Sequence, residues 1–259
     1  MADKIPSLVE LLKTGAHFGH QASKWHPKME PFLFGKRNGI HIINLEMTSA
    51  KLQVALDVAR DISAKGGNIV FLGTKRQARD IIRKYATEAG APYITDRWLG
   101  GTFTNFAEIK KIIEKLNDFR SKRDRGEFEK YTKKERLEID REIEAMEEKV
   151  GGIATLTKLP DAMFVIDIKH EKTAVTEANL TGVPIFALLD SNVNPDLVTY
   201  GIPSNDDAVK AIDMMTKLFA EAVKEGRAKW EKEAGAKKAA SSAAKDSPTN
   251  DKTAKILTA

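Results

Sequence analysis

Short apolar segments that alternate with amphipathic helical segments constrain the fold of this chain more than any other feature of its sequence. Runs with the length and apolar content of strands lie at 41–45, 69–72, 92–95, 162–168 and 183–190. Helical patterns lie at 1–13, 48–65, 74–90, 171–180 and 206–225. Strands and helices that alternate in this way build a parallel sheet with helices on both faces. The sequence therefore predicts an α/β fold with a small, doubly wound, flavodoxin-like sheet, in which ligands bind at the carboxyl ends of the strands.

The segment 108–150 interrupts this alternation. Between Glu108 and Lys149 lie 26 charged residues, and two series of apolar residues recur among them at intervals of three and four. These series are Ile109, Ile112, Leu116 and Phe119, followed by Ile139, Ile143, Met146 and Val150. Such spacing is typical of coiled-coil seams, and an excess of basic charge in the first arm and of acidic charge in the second favours antiparallel pairing. We therefore expect an inserted antiparallel coiled-coil helical hairpin.

The domain organisation that follows from these patterns has four parts. Residues 1–40 form an N-terminal helix and an irregular arm, 41–107 and 151–227 form the α/β domain, and 108–150 form the hairpin. The remaining segment, 228–259, is rich in Ala, Lys and Ser. It has too few apolar side chains to offset the entropy of ordering, so we expect it to be disordered.

The composition excludes several classes of function. The chain has no cysteine, which removes disulfides, thiolate metal sites and cysteine nucleophiles. It has no apolar run long enough to cross a membrane and no signal-peptide core at its N-terminus, so we expect a cytoplasmic protein without membrane contact. The motifs of phosphate-binding loops, serine hydrolases and zinc proteases are absent. We therefore expect neither an enzyme nor a small-molecule substrate.

The positive charge of the chain is local. The net charge is +5, but the segment 234–259 contributes +3 of it through five lysines and two aspartates. The rest of the chain is nearly balanced, so any nucleic acid must be bound by concentrated basic patches.

One such patch follows the predicted strand 69–72. Thr74 is expected to cap the helix 74–90. Near this N-terminus, where free N–H groups attract anions, lie Lys75, Arg76 and Arg79. A phosphate contact accounts for these residues, and so does a capped helix with solvated basic side chains.

A second patch is the loop RWLGGTFTN at 97–105, which combines a guanidinium with aromatic rings and two adjacent glycines. Arg97 is expected to contact RNA, because arginine grips phosphates and stacks on bases. Trp98 either stacks on unpaired bases or plugs the core. Phe103 is expected in the core.

Two sets of residues are candidates for metal binding. His17, His20 and His26 could ligate Zn²⁺, although histidines satisfied in a loop or core explain them more simply. Asp190 ends a predicted strand and Asp206 opens a helix, so these carboxylates either hold Mg²⁺ or complement the helix dipole. We expect no cofactor beyond such an ion.

Eight segments together carry a family resemblance that covers residue 15 to about 227. They are HFGHQ, WHPKM, FGKRNGIHIINLEMT, FLGTKRQA, RWLGGTFTN, LPDAMFVID, GVPIFALLDSN and IPSNDDA. In this order and at these spacings the chain resembles the bacterial small-subunit ribosomal protein S2 family. The resemblance implies an α/β domain with an inserted coiled-coil hairpin, bound to small-subunit ribosomal RNA. It also implies neighbouring ribosomal proteins as partners, including the large mRNA-binding ribosomal protein one, and a role in assembly and translation initiation.

The resemblance also implies which residues lie at or near RNA. The matching positions in its motifs are Lys36, Arg37, Lys75, Arg76, Arg97 and Trp98. The basic arm of the hairpin adds Arg120, Lys122 and Arg123 on weaker grounds, because the insertion matches no fixed motif.

The sequence therefore predicts a structural constituent of the small ribosomal subunit. Two other classes of function stay open. One is a nucleotide- or flavin-binding enzyme on the same flavodoxin-like fold. The other is an adaptor that binds only proteins.

Overall fold

A five-stranded parallel sheet forms the centre of the molecule, for which the computed structural model describes residues 5–245, with side chains to residue 234. Its strands are β4 (Ile69–Leu72), β5 (Tyr93–Ile94), β6 (Ala162–Val165), β7 (Ile185–Leu189) and β8 (Tyr200–Pro203). They lie in the order β5-β4-β6-β7-β8. Counted within this sheet the order is 2-1-3-4-5, that of flavodoxin-like folds, so the predicted fold class is confirmed.

Helices cover both faces of this sheet because its strands are apolar on both sides. Phe71, Phe164 and Phe186 point into one core, whereas Val70 and Met163 point into the other. Against the first face pack α1 (Leu8–Thr14), α2 (Leu45–Ala64), α3 (Arg79–Ala89) and α7 (Val209–Lys245). Against the second pack α4 (Phe106–Asp124), α5 (Lys133–Val150) and α6 (Lys172–Thr181). Within residues 5–245 no helix is long and apolar enough to span a membrane.

A separate three-stranded antiparallel sheet precedes the parallel one. Its strands are β1 (Phe18–Gln21), β2 (Leu33–Arg37) and β3 (Ile40–Ile43), in the order β1-β3-β2. The segment 41–45 was expected in the parallel sheet and the region before it was expected to be irregular, so the structure corrects both. The overlooked signal is Asn38-Gly39, a pair that favours two-residue hairpin turns because both positions need positive φ.

The fifth strand of the parallel sheet, β8, was not predicted. Its sequence YGIP contains Gly and Pro, which weaken a strand pattern. β8 lies at the edge of the sheet, where Pro is tolerated, and pairs only with β7 among the strands of residues 5–245.

The insertion consists of α4 and α5, which contact each other and are joined through a short 3₁₀ turn. Two ion pairs link them, Lys115 Nζ to Glu142 Oε1 at 2.5 Å and Arg120 Nε to Glu147 Oε1 at 3.0 Å. Four of the eight predicted seam residues are buried in the second core, and the other four are partly buried against it. The coiled-coil geometry of this contact stays a prediction.

Helix α7 continues to Lys245, well beyond residue 225, where its end was expected. The helix therefore includes the first part of 228–259, the segment predicted to be disordered, because its Ala, Lys and Glu residues are good helix formers. Arg227 and Glu231 add an i,i+4 ion pair at 3.3 Å. The rest of that prediction, 246–259, lies outside the described residues.

Gly226 allows α7 to approach α2 closely. A Cβ at this position would lie 2.7 Å from Ser63 Cβ and even closer to the carbonyl of Arg60. Gly226→Ala is therefore expected to destabilise the protein by about 1–2 kcal/mol, because overpacking outweighs the roughly 1 kcal/mol that Ala gains in helix propensity. Urea unfolding measures this difference. Gly35→Ala is the control, since a Cβ added there would meet no atom within 4 Å; equal stability of both variants and the wild type would contradict the close-approach argument.

Candidate RNA-binding surface

Lys36 and Arg37 lie at the tip of the β2–β3 hairpin. Arg37 pairs with Ile40, and the two residues between them, Asn38 and Gly39, have φ values of 50° and 77°. This is the backbone that a tight two-residue hairpin turn requires. The turn presents both basic side chains to solvent.

The loop after β4 differs from its prediction. Thr74 does not cap a helix: α3 begins at Arg79, with Ala78 as its N-cap and no side-chain cap. Instead, the backbone N–H and the hydroxyl of Thr74 both donate to the carboxylate of Glu171. Lys75 and Arg76 therefore precede the helix, and the prediction that they lie at its N-terminus is wrong.

Lys75 is held by carboxylates of the protein itself. Its Nζ lies 3.1 Å from Asp167, 3.2 Å from Asp206 and 2.6 Å from Asp207, and its side chain is 15% exposed. Burial alone would lower the pKa of Lys75, but Asp206, Asp207 and Asp167 outweigh burial and raise it. The ammonium therefore stays charged, and its charge is compensated inside the protein.

Two of these aspartates, Asp206 and Asp207, also form a cluster with His20 and Asp190. His20 Nδ1 lies 3.0 Å from Asp190 and its Nε2 lies 3.4 Å from Asp207. The hydrogen bond to Asp190 raises the pKa of His20 against the effect of burial. Burial, with Asp167 and Asp190, raises the pKa of Asp206 to about 7, although Lys75 opposes this.

This cluster joins His20 from the first predicted metal set with both residues of the second, Asp190 and Asp206, and adds Asp207. His20, Asp190, Asp206 and Asp207 each offer a ligand atom within 4.8 Å of the others, whereas His17 and His26 are not part of any such group within the described residues. His26 Nδ1 instead accepts the N–H of Lys28 and caps a short 3₁₀ helix. Burial lowers the pKa of His17. The three-histidine zinc site is therefore not formed.

The loop 97–105 wraps around the carboxylate of Glu177. Trp98 is 8% exposed, packs edge-on against Phe103 at 4.9 Å, and donates its indole N–H to Glu177 at 3.1 Å. The core alternative for Trp98 is therefore the one that the structure shows, and Phe103 is in the core as predicted. Arg97, by contrast, is exposed.

The basic side chains on the outside of these loops differ in how many hydrogen bonds and ion pairs they form with the protein itself. Arg79 donates to the carbonyls of Thr74 (2.7 Å) and Asp96 (3.4 Å) and stays 45% exposed. Arg76 and Arg97 are exposed and have no ion pair or side-chain hydrogen bond with another described residue. We call Arg76, Arg79 and Arg97 the loop surface.

Two of the three candidate basic side chains on α4, the first helix of the inserted hairpin, form ion pairs within the protein. Arg120 pairs with Glu147, and Lys122 pairs with Asp118 at 2.6 Å on the same helix. Arg123 is exposed.

Glu171 and Glu177, which organise the two loops, were not predicted from the sequence. The available signal was an acidic residue within the apolar face of a helix, since Glu177 lies between the buried Val175 and Ala178.

A doubly wound sheet whose crevice is filled by its own charged side chains, with arginines exposed outside it, defines an α/β protein with an exposed basic surface. Comparisons identify the family. Residues 11–226 match the family model described as "Ribosomal protein S2". The "Small ribosomal subunit protein uS2" of Roseiflexus sp. (strain RS-1) is 47% identical over 226 residues, 87% of this chain and 86% of that protein. The protein of the same name from Acinetobacter baylyi (strain ATCC 33305 / BD413 / ADP1) is 46% identical over 227 residues, 88% and 91% of the two chains.

The chain belongs to the ribosomal protein S2 family. The resemblance seen in its motifs is thereby confirmed. Members of this family are structural ribosomal proteins, so the prediction that the chain is not an enzyme is confirmed as well.

Proposed function

We propose that this protein is a structural constituent of the small ribosomal subunit. It binds small-subunit ribosomal RNA through the tip of the β2–β3 hairpin, Lys36 and Arg37, and through the loop surface. The observation that carries this proposal is the contrast between Lys75 and its neighbours. The charge of Lys75 is compensated by aspartates, whereas Lys36, Arg37, Arg76 and Arg97 are exposed on a hairpin turn and on loops. Cations that the protein leaves uncompensated on fixed backbone suit phosphate groups.

Counterion release supplies much of the free energy of such binding. Each neutralised phosphate releases condensed counterions, so the logarithm of the association constant falls with the logarithm of salt concentration by roughly 0.7–0.9 per contact. Arg79 and Arg123 extend the basic surfaces, and Lys75 and Trp98 support them from inside. Arg120 and Lys122 can contribute only by sharing their charges with Glu147 and Asp118.

Neighbouring ribosomal proteins are the second class of partner in this proposal. An apolar concavity next to the β2–β3 hairpin is lined by Leu8, Val9, Leu12 and Phe34. These side chains are exposed, Phe34 by 79% and Val9 by 60%, and contiguous exposed apolar surface is typical of protein contacts. Through such contacts the protein would support subunit assembly and, with the large mRNA-binding ribosomal protein one, translation initiation in the cytoplasm.

No cofactor is part of this function. The cation that the sequence predicted at Asp190 and Asp206 stays a prediction, with His20 and Asp207 as further donors beside them. The imidazole and carboxylate donors suit Zn²⁺, and the buried Oδ2 of Asp206 has no hydrogen-bond partner among the described residues. The ammonium of Lys75, however, already lies against two of these carboxylates.

The nucleotide- or flavin-binding alternative is disfavoured by the same crevice. Phosphates in doubly wound folds bind at the carboxyl ends of the strands, and here Asp167, Asp190 and Asp206 lie at that edge. Their negative charge repels a phosphate. We expect no shift in the thermal unfolding temperature with ATP, NAD or FMN; a stoichiometric stabilisation by any of them would support the enzyme instead.

A salt titration of RNA binding tests the proposal. The full-length protein is titrated with small-subunit ribosomal RNA at several KCl concentrations. We expect Arg97→Ala to weaken binding and to reduce the salt slope by about 1. Lys224→Ala is the matched control, because Lys224 is exposed on α7 near its contact with the end of α2, away from these loops. Equal slopes for both variants and the wild type would refute the loop surface as an RNA contact.

A further inference from the structure

Helix α6 carries two buried glutamates that reach the two basic loops, one at its N-cap and one within it. Glu171 is 4% exposed and Glu177 is 6% exposed. Glu171 accepts the N–H of Thr74 at 2.9 Å and also its hydroxyl. The carboxylate of Glu177 accepts five hydrogen bonds from the other loop, from Trp98 Nε1 (3.1 Å), Gly101 N (2.8 Å), Phe103 N (3.0 Å), Thr104 N (3.2 Å) and Thr104 Oγ1 (3.1 Å).

These hydrogen bonds keep Glu177 ionised. Burial alone would raise its pKa, but the indole N–H of Trp98 and the backbone N–H groups of the loop outweigh burial and lower the pKa below its usual range. A carboxylate with two oxygens can accept bonds from several donors at once. No neutral side chain of this size accepts as many, so the loop conformation depends on the charge of Glu177.

Arg79 connects the two loops outside the helix. Its guanidinium donates to the carbonyl of Thr74 in the first loop and to the carbonyl of Asp96 at the start of the second. Thr74 is held by Glu171 and the second loop is held by Glu177, so a continuous set of hydrogen bonds runs from α6 through both loops. This network fixes the position of Arg76 relative to Arg97.

We propose that Glu177, together with Glu171, is a positioning residue for RNA recognition: it sets the loop 97–105 so that the guanidinium of Arg97 meets a phosphate of the ribosomal RNA. The proposal rests on the proposed function above. Glu177 is buried beneath the loop and acts on RNA through Arg97.

Glu177→Gln separates positioning from simple electrostatics. Removal of a negative charge beneath a phosphate-binding surface would, by Coulomb attraction alone, strengthen RNA binding. Positioning predicts the opposite. The amide has one acceptor oxygen, its NH₂ group faces N–H donors, and the loop loses its fixed conformation. We expect roughly tenfold weaker binding, comparable to the loss of one charge-assisted contact.

The test combines Glu177→Gln, Arg97→Ala and the double variant in the full-length protein, titrated with small-subunit ribosomal RNA at several KCl concentrations. Each single variant is expected to lower the salt slope by about 1, and the double variant is expected to lower it by no more than either one. Phe219→Leu is the control for lost stability, because Phe219 packs in the other core; its slope is expected to equal that of the wild type. Hydrogen exchange of the amides of Gly101, Phe103 and Thr104 reports the loop directly, and we expect exchange at least about tenfold faster in Glu177→Gln.

The outcomes distinguish the two proposals. If Arg97→Ala binds as the wild type does, the loop surface is not an RNA contact and the proposed function fails there. If Arg97→Ala weakens binding but Glu177→Gln does not, or if their effects on the slope add, the positioning role is overturned and the proposed function stands. Glu177→Asp keeps the charge on a shorter side chain and serves should Glu177→Gln not fold. Faster amide exchange and weaker RNA binding in Glu177→Asp than in the wild type support positioning, and faster exchange with wild-type binding overturns it, as does wild-type exchange.

Discussion

Simultaneous replacement of Lys36, Arg37, Arg76 and Arg97 by alanine is expected to weaken binding to small-subunit ribosomal RNA by at least about a hundredfold at 0.1 M salt. Hydrogen bonds to charged groups contribute about 1.5 kcal/mol or more each, and part of this is lost to water in the variant. The salt slope should fall by roughly 3, because four phosphate contacts are removed. Filter binding or fluorescence anisotropy across a KCl series measures both quantities.

The same four replacements should leave the fold intact. All four side chains are exposed, and exposed substitutions change stability by about 0.5 kcal/mol or less. The thermal unfolding temperature is therefore the internal control. A variant that unfolds like the wild type and still binds RNA with wild-type affinity and slope would show that other residues carry the interaction.

Lys75→Met is expected to produce the largest loss of stability, about 3–5 kcal/mol at pH 8. The substitution keeps the length of the side chain but removes the ammonium that lies between Asp167, Asp206 and Asp207. Breaking a buried ion pair by deleting one partner leaves uncompensated buried charge, and the cost has this magnitude. Urea unfolding of Lys75→Met and of Lys224→Met, an exposed control, measures the difference.

The loss in Lys75→Met should become smaller as the pH falls. Burial raises the pKa of Asp206 to about 7 in the folded protein, against about 3.9 in an unfolded chain. As the pH falls, Asp206 is protonated in the folded state before it is protonated in the unfolded chain. Its protonation therefore stabilises the fold increasingly as the pH falls from 8 through 7 towards 4. Without Lys75, which lowers the pKa of Asp206, that pKa rises further and the neutral carboxyl no longer repels its neighbours. Equal losses at pH 8 and pH 5.5 would contradict a charge-compensating role for Lys75.

Features that depend on local apolar pattern could be predicted from the sequence. Strands β4, β6 and β7 are continuous apolar runs, and their burial on both faces follows directly from that composition. The apolar series in 108–150 likewise identified residues of the second core. Strand β8 escaped prediction because its Gly weakens a strand pattern and its Pro is tolerated at a sheet edge, and strand order is not visible in a strand's own sequence.

The chemistry of the candidate site could be predicted only in part, because charge compensation depends on residues distant in sequence. The sequence alone shows Lys75 as a free cation beside Arg76. Its partner Asp206 is 131 residues away and contacts it because the carboxyl ends of the strands meet at one edge of the sheet. The sequence predicts Thr74 as a helix cap, yet its hydroxyl donates a hydrogen bond to Glu171, 97 residues away. Trp98 reads equally well as a base-stacking residue and as a core residue until Glu177 is seen to bind its indole.

The most direct test of the central claim is a sucrose-gradient profile of cell lysate that contains the tagged full-length protein. The account predicts that the protein co-sediments with the small-subunit peak, and that the variant with alanine at Lys36, Arg37, Arg76 and Arg97 shifts to the top of the gradient. Absence of the wild-type protein from the small-subunit peak would contradict the account, and undiminished occupancy by the variant would contradict the role of these four residues.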